Sequence, residues 1–378
     1  MIRNLVGKHF GPALLVAVLA LFCFFPASAQ TIRDLPPPPP APTPKPTPTP
    51  APPKDDDFDI VRVSSNLVMV PVSVVDAKGE AVRGLQVNDF RLAEEGKEQQ
   101  LTEIGNPDEV PLDIAILFDI SSSVSQKGFF AFQQKAAASF LKQVLKPVDR
   151  AAVFTIADEP KLFSPLAAAD VAAAKILSIP AATSAVPTAF YDTVVAAAKF
   201  LVEKSADRHR RVILVISDGD DNFSTIVKDL TVAEYRASQK GEVTSTAAYQ
   251  NLLERRRLAV LEVQRAVQQS DAAFYSINPG GPSVHLNQIS TRAQNAMESI
   301  AQSTGGTAYV PEAERDLERV FNEIAAELRG QYLLQYYSNS KAAGAQFRRI
   351  AVTLPARPEL RIRARQGYYP KTGVKSEK

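Results

Sequence analysis

The feature that most constrains the fold is a short, nearly unbroken apolar run at residues 112–119, which leads into an Asp-x-Ser-x-Ser cluster. The run is too short to span a membrane, and its β-branched and aromatic content is typical of a strand buried on both faces. Such strands occupy the middle of parallel sheets, where ligands bind beyond the carboxyl ends of the strands. The sequence therefore predicts that Asp119, Ser121 and Ser123 lie at the binding edge of a sheet.

Short apolar runs alternate with helical stripes throughout residues 111–330. The clearest strand patterns are at 151–157, 212–217 and 272–277, and the clearest helical ones at 189–202 and about 247–269. Strands separated by helices imply right-handed βαβ crossovers. We therefore expect an α/β domain with a doubly wound, mainly parallel sheet.

Residues 60–110 and 331–370 flank this segment and show the period-two apolar spacing of β-strands. The first flank holds too few strands to close a stable core alone. We therefore expect the two flanks to pair into one β-sandwich-like domain, with the α/β domain of residues 111–330 inserted in it. Residues 371–378 are expected to be a tail.

Residues 1–29 have the pattern of a secretory signal peptide: Arg3 and Lys8 precede an apolar run that ends near Ala27-Ser28-Ala29. The alternative is an uncleaved membrane anchor, for which the run is short. Residues 30–59 form a Pro-rich linker, expected to be extended polyproline II. We expect an exported protein of the periplasm, cell envelope or medium, which contacts a membrane only if the signal segment stays uncleaved.

Charge and cysteine content exclude some classes of protein. The only cysteine, Cys23, lies in the signal segment, so disulfides cannot stabilise the mature chain. The formal net charge is +2, and loss of Arg3 and Lys8 on cleavage leaves a formally neutral chain. Because no long-range positive field remains, we predict no binding to nucleic acid. The sequence does not determine the oligomeric state.

Two later loops supply oxygen donors at matching positions. Thr188 directly precedes the helix predicted from residue 189, where a hydroxyl is also a natural helix cap, and Asp218 directly follows the predicted strand 212–217. Carboxylates and hydroxyls are hard donors that suit Mg²⁺, with Mn²⁺ or Ca²⁺ as alternatives. We predict a divalent-metal site with one open position, whose ligands are Asp119, Ser121, Ser123, Thr188 and Asp218. In the alternative, the hydroxyls only cap helices and Asp218 accepts loop amides.

This pattern resembles the von Willebrand factor type A domain and its metal-ion-dependent adhesion site (MIDAS). The family's five ligand positions correspond to the five residues of the predicted site. The resemblance implies metal-dependent binding of a partner whose Asp or Glu fills the open position. One departure is the stretch Val186-Pro187-Thr188, where the family usually has Gly-Gly-Thr; proline fixes φ and removes a donor, which bears on how the threonine is presented.

The arrangement of the whole chain is also similar to larger bacterial proteins, frequent in acidobacteria, that are described as related to this domain. The resemblance rests on Val70-Pro71-Val72, Gly84-Leu85 and Asp89-Phe90-Arg91 before the domain, and on Gln366-Gly367-Tyr368-Tyr369 after it.

Three functions are compatible with these patterns. The favoured one is a non-enzymatic binding or adhesion protein that coordinates the Asp or Glu of a protein partner. The first alternative is a metal-dependent hydrolase, for which Asp220 or Asp221 would have to be the general base. The second is an envelope scaffold with a vestigial site.

Two further expectations concern charged and titratable residues. His209 is expected at the surface, and Arg361, Arg363 and Arg365 are expected on the outward side of a strand.

If the signal peptide is cleaved, the exported product begins at Gln30, because cleavage follows the small-residue sequence that ends at Ala29. Amino-terminal sequencing of the protein from envelope and medium fractions tests this. An intact Met1 in the membrane fraction would favour the anchor instead.

Overall fold

The computed structural model describes residues 67–121, 124, 130–182, 184, 186–229, 232, 236, 247–281, 288–340 and 346–370. The predicted signal peptide, the Pro-rich linker, Ser123 and the tail lie outside these residues and stay predictions. Within the described ranges, no helix is both long and apolar enough to cross a membrane.

A six-stranded sheet forms the centre of the α/β segment. In chain order its strands are β5 (Leu112–Asp119), β6 (Arg150–Ile156), β7 (Lys161–Ala167), β8 (Arg210–Ile216), β9 (Ala272–Ile277) and β10 (Ala308–Tyr309). They lie in the order β10-β9-β8-β5-β6-β7, and all neighbours are parallel except β6 and β7. The predicted mainly parallel sheet is therefore confirmed, whereas the antiparallel edge strand β7 was not predicted.

Helices cover both faces of this sheet. They are α1 (Phe130–Val144), α2 (Ala169–Leu177), α3 (Phe190–Lys204), α4 (Ala247–Gln269), α5 (Gln288–Thr304) and α6 (Leu317–Gly330). Side chains of α1, α2 and α6 join one apolar cluster, and those of α3, α4 and α5 join another. Every residue of β5 is buried, with Ile116 and Phe118 in the first cluster and Ala115 and Leu117 in the second. The central strand is thus buried on both faces because its alternate residues serve two cores.

Strands from before and after the α/β segment form two antiparallel sheets. They are β1 (Leu67–Val75), β2 (Arg91–Glu94), β3 (Lys97–Gln99), β4 (Leu101–Gly105), β11 (Tyr332–Tyr337), β12 (Arg348–Thr353), β13 (Arg361–Ala364) and β14 (Gly367–Tyr368). The strand orders are β13-β1-β11-β4 and β14-β12-β2-β3. Both sheets contribute to one apolar cluster, in which Val70 and Leu334 come from the first sheet and Leu92 and Ile350 from the second. The exact domain boundaries stay a prediction.

The expected outward orientation of the arginines on β13 and after it is wrong for two of the three. Arg363 donates from Nη1 to Glu327 Oε2 on α6 at 3.0 Å. Arg365 forms an ion pair with Asp271 and donates from Nη2 to the carbonyl of Met69 at 2.7 Å. Alternation along a strand shows which residues share a face, but it does not show that a second domain covers that face.

Asp113 joins the amino ends of three neighbouring strands. Its side chain is fully buried, and Arg150 donates to it from Nε at 3.0 Å and from Nη2 at 2.8 Å. Nδ1 of His209 lies 3.0 Å from its Oδ2, so the expected surface histidine is instead a partner of this carboxylate. Burial by itself raises the pKa of Asp113, but hydrogen bonds, of which those from Arg150 contribute most, outweigh it and hold the pKa below the ordinary 3.8.

We expect Asp113→Asn to lower the free energy of unfolding at pH 7 by about 2 kcal/mol, the usual worth of hydrogen bonds to a buried charge. A carboxylate with a lowered folded-state pKa stabilises the protein above the unfolded-state pKa, and this contribution is lost as the pH falls through the folded-state pKa. Urea titrations at pH 7 and pH 3 should therefore show a difference between wild type and variant that shrinks in acid. Asp170→Asn, at a side chain that is 88% exposed, is the control and should change little.

Candidate metal centre

Asp119 is the last residue of β5, and its side chain is fully buried. Its Oδ1 accepts a hydrogen bond from the backbone N–H of Ser121 at 2.7 Å. Its Oδ2 accepts one from the Ser217 hydroxyl at 2.5 Å. Because β8 lies beside β5 in parallel, the residue after β8 reaches this carboxylate directly. Both oxygens of Asp119 are therefore held in a fixed orientation.

Asp218 follows in a tight turn. The backbone N–H of Gly219 donates to the Ser217 hydroxyl at 2.9 Å, and that of Asp220 donates to Asp218 Oδ1 at 3.2 Å. Gly219 has a φ of +78°, and a Cβ there would lie 2.8 Å from the buried Met297 side chain. The positive φ is what favours glycine at this position, because the end of a methionine side chain can move aside. The Ser-Asp-Gly sequence thus fixes where the carboxylate of Asp218 is presented.

Thr188 is buried, and its loop is joined directly to the loop that follows Asp218. The N–H of Thr188 donates to Asn222 Oδ1 at 2.9 Å, and the N–H groups of Asn222 and Phe223 both donate to the Thr188 carbonyl at 3.1 Å. The next N–H, of Ala189, donates to the carbonyl of Ala157 just after β6. Thr188 is therefore held between two strand ends, although Pro187 replaces the glycine usual in the family.

Asp221 binds the amino end of α3 rather than facing solvent. Its Oδ2 accepts from the N–H of Tyr191 at 2.6 Å and from the Ser224 hydroxyl at 2.5 Å, and its Oδ1 accepts from the N–H of Ser224 at 2.9 Å. The helix has Ala189 as its N-cap without a side-chain cap, so Asp221 performs the capping role that the alternative interpretation gave to Thr188. Burial raises the pKa of Asp221.

The pair of carboxylates at the strand ends lacks a compensating cation among the described residues. Burial, followed by the charge of Asp218, raises the pKa of Asp119 to about 7. No ion pair between described residues involves either aspartate. A divalent cation would remove this repulsion, and the donor set of carboxylates and hydroxyls fits a hard cation.

Of the five residues predicted as ligands, the structure describes four: Asp119, Ser121, Thr188 and Asp218. Ser123 lies outside the described residues, and the assignment of all five as ligands stays a prediction. No group of three His, Cys, Asp or Glu in the described ranges could hold a metal, so this site would depend on hydroxyl ligands as well as on its two carboxylates. Sequence reasoning missed Ser217, whose hydroxyl donates to Asp119. The available signal was its position between a predicted buried strand and the candidate ligand Asp218.

Comparison with known proteins identifies the family to which the chain belongs. The family model of the von Willebrand factor type A domain matches residues 113–323. Comparison with curated proteins gives no significant match. The chain therefore belongs to the von Willebrand factor type A domain family, as the resemblance predicted, whereas membership of the acidobacterial-type subfamily stays a prediction.

Solved structures with similarity to the chain have low sequence identity. A von Willebrand factor type A protein from Catenulispora acidiphila is 11% identical with a TM-score of 0.40, and the match covers 71% of this chain and 51% of that one. The vWF domain of a type V pilus tip protein from Porphyromonas gingivalis is 15% identical with a TM-score of 0.40, covering 57% and 94%. A proximal thread matrix protein of the mussel byssus, with a zinc-occupied MIDAS motif, is 13% identical with a TM-score of 0.39, covering 61% and 48%. The chain thus spans about half the length of the first of these proteins.

Asp221→Ala should lower the free energy of unfolding by about 1–2 kcal/mol, because it leaves the first turn of α3 without its cap. It should also speed hydrogen exchange at the N–H of Tyr191, which donates to Asp221. Asp229→Ala, at an exposed carboxylate eight residues farther along the chain, is the matched control. Unchanged exchange at Tyr191 in Asp221→Ala would contradict the capping role.

Proposed function

We propose that the chain is an exported, non-enzymatic binding protein that coordinates a carboxylate of a protein partner through a divalent metal. The proposed ligands are Asp119, Ser121, Ser123, Thr188 and Asp218. Mg²⁺ is the proposed metal, with Mn²⁺ and Ca²⁺ as alternatives. The partner is proposed to present an Asp or a Glu, in protein–protein interaction or adhesion.

One observation carries the proposal. The buried carboxylate of Asp119 and the carboxylate of Asp218 lie at the carboxyl edge of the sheet without a cationic partner among the described residues. Burial and the nearby charge of Asp218 both disfavour the charged form of Asp119. A bound cation would stabilise the charged forms of both carboxylates, which gives a reason for the fold to place Asp119 and Asp218 close together.

The protein's own residues have distinct roles in this proposal. The N–H of Ser121 and the hydroxyl of Ser217 orient Asp119, and the pairing between Thr188 and Asn222 fixes the second loop. When bound, a divalent cation would supply a strong positive centre with a coordination position open to a partner. A carboxylate at that position makes a charge-assisted contact in a partly dry crevice, which can anchor an otherwise modest interface.

The enzymatic alternative is disfavoured by the position of Asp221. The hydrolase hypothesis required Asp220 or Asp221 to act as a general base. Asp221 already accepts bonds from the start of α3 and from Ser224, and these occupy both of its oxygens. Asp220 is the other candidate base, but we retain the binding role because it needs no general base. The vestigial-site alternative is decided by the following test of metal binding.

Mg²⁺ or Mn²⁺ should raise the melting temperature of the protein, because a ligand that binds only the folded state stabilises it by mass action. At a metal concentration of about one hundred times the Kd, the added stability is about 2.7 kcal/mol. Asp119→Ala should abolish this metal-induced shift. The measurement is a thermal melt with EDTA and with increasing metal.

The matched control is Asp207→Ala, which removes a carboxylate whose side chain is 84% exposed at the opposite end of the parallel strands. Its metal-induced shift should equal that of the wild type. Equal shifts in wild type and Asp119→Ala, or no shift in the wild type, would refute the metal site.

A further inference from the structure

A cleft lies at the amino ends of the parallel strands and is lined by residues of β1 and β11, of the loop before β8 and of the end of α4. Its volume is about 1080 Å³, slightly above the range of about 300–1,000 Å³ that is typical of ligand sites. The candidate metal centre lies at the other end of the same strands, roughly 20 Å away, since β8 has seven residues. We call this space the amino-end cleft.

The side of the cleft formed by β1 and β11 is apolar. Side chains alternate along a strand, so Val68 packs in the sandwich core while Leu67 and Met69 lie on the other face and line the cleft. Tyr337, directly opposite Leu67 on β11, lines it too. Leu67 is 48% exposed and Tyr337 is 53% exposed. A strand that is apolar on both faces is normally covered on both, but the described residues leave this pair in contact with water.

A second tyrosine ring of the lining is held in place by packing. Tyr369 is half-buried, and its ring lies against that of Phe347 with the centroids 5.2 Å apart. A ring fixed in this way loses little conformational entropy when a ligand covers it. The cleft thus offers two aromatic rings and Leu67 to a ligand that has some apolar surface.

The loop before β8 and the end of α4 contribute polar side chains. Arg208 and Gln269 are exposed and Gln268 is half-buried, and none of these three side chains bonds to another residue in the described ranges. An amide group offers two donors and an acceptor, and a guanidinium group offers several donors. Because hydroxyl groups both donate and accept, this side of the cleft suits a ligand rich in hydroxyl groups.

The other arginines of the lining already have partners. Two of them form ion pairs with Glu94 and Asp271, and the other two donate to backbone carbonyls at the carboxyl ends of helices; they are, in that order, Arg348, Arg365, Arg210 and Arg211. Helix carboxyl ends carry partial negative charge, which stabilises such cations. The exposed acids Glu109 and Asp207 also line the cleft. A strongly anionic ligand would therefore meet little uncompensated positive charge.

Addition of a peptide strand to β1 is blocked. β13 pairs with β1 only from Val72 to Val75, so the earlier residues of β1 have no strand partner on this side among the described residues. The Met69 carbonyl there accepts a hydrogen bond from Arg365 Nη2 at 2.7 Å, and Pro71 has no N–H to donate. A peptide could therefore not form a regular ladder along this edge.

We propose that the amino-end cleft binds a neutral oligosaccharide. Sugar rings present C–H groups on their faces, which stack on the two tyrosine rings and on Leu67. They present hydroxyl groups at their edges, which bond to the two glutamines and to Arg208. The volume is larger than a single sugar ring requires, so the ligand has several rings. The site needs no metal, and this inference is independent of the proposed function.

The test is isothermal titration calorimetry on the full chain in EDTA, where the metal site cannot contribute. The neutral probes are cellohexaose, maltohexaose, chitohexaose and mannohexaose, and oligogalacturonate is the anionic probe. At least one neutral hexasaccharide should bind saturably. Lack of binding to all four neutral probes would overturn the proposal, and so would binding of oligogalacturonate alone.

Tyr337→Ser should weaken the binding of that hexasaccharide about tenfold, because an aromatic contact is lost. Tyr337→Phe should retain the affinity, since stacking uses the ring and not the hydroxyl. Full affinity in Tyr337→Ser would contradict the proposed contact. Equal melting temperatures of the wild type and both variants would show that weaker binding does not arise from unfolding.

Leu67→Ser and Gln268→Ala should each weaken binding as well, because they remove an apolar contact and a hydrogen-bonding group of the lining. Leu177→Ser is the matched control for Leu67→Ser: Leu177, at the end of α2, is 51% exposed and does not line the cleft. Its affinity should equal that of the wild type. Equal losses in Leu67→Ser and Leu177→Ser would show that the cleft is not the binding site.

Discussion

The structure around the candidate site depends on the buried carboxylate at the end of the central strand. Burying a charge is costly unless it is paired and hydrogen-bonded. Asp119 has its hydrogen bonds, from Ser121 and Ser217, but no cationic partner among the described residues, and its pKa is raised to about 7. The opposite end of the same strand provides an internal comparison. Asp113 is equally buried, yet Arg150 and His209 bind it and its pKa is lowered. One strand thus carries two buried aspartates, and only one of them is left for an external cation.

The loops that approach Asp119 are held by contacts with one another, and the helix α3 is capped by a residue of another loop rather than by one of its own segment. Asp221 binds the start of α3, which lies about thirty residues earlier in the chain, and Asn222 binds Thr188 in the same way. A single short stretch after β8 therefore supplies Asp218 and fixes the Thr188 loop. This coupling explains how Pro187 is tolerated: Thr188 is positioned by its bonds to Asn222 and Phe223 and does not need a flexible glycine before it.

The sequence predicted the fold because apolar periodicity reports burial. The run at 112–119 predicted a doubly covered central strand, and every residue of β5 is buried. Other features depend on tertiary contacts that no local pattern reports. β7 is an edge strand with few buried residues, so its alternation is weak. Arg363 and Asp221 have partners distant in sequence, Glu327 and Tyr191. The sequence next to each residue does not reveal these partners, because a solvent-exposed residue can have the same sequence neighbours. The Asp-x-Ser-x-Ser and Ser-Asp-Gly motifs were informative because each directly follows such a buried strand.

The insertion of the α/β segment follows from the way its ends are joined. The segment leaves the first antiparallel sheet after β4 and returns at β11, and these two strands are direct neighbours, with Leu333 opposite Gly105. Entry and exit are therefore close together, so the inserted domain adds little loop-closure entropy to the sandwich. A second connection comes from α6, where the buried Glu327 accepts bonds from Tyr275 on β9 at 3.1 Å and from Arg363 on β13 at 3.0 Å. Rotation of the central sheet against the sandwich would break the hydrogen bonds that Glu327 accepts from both. The orientation of the candidate site relative to the rest of the chain is thus set by buried electrostatics as well as by chain connectivity.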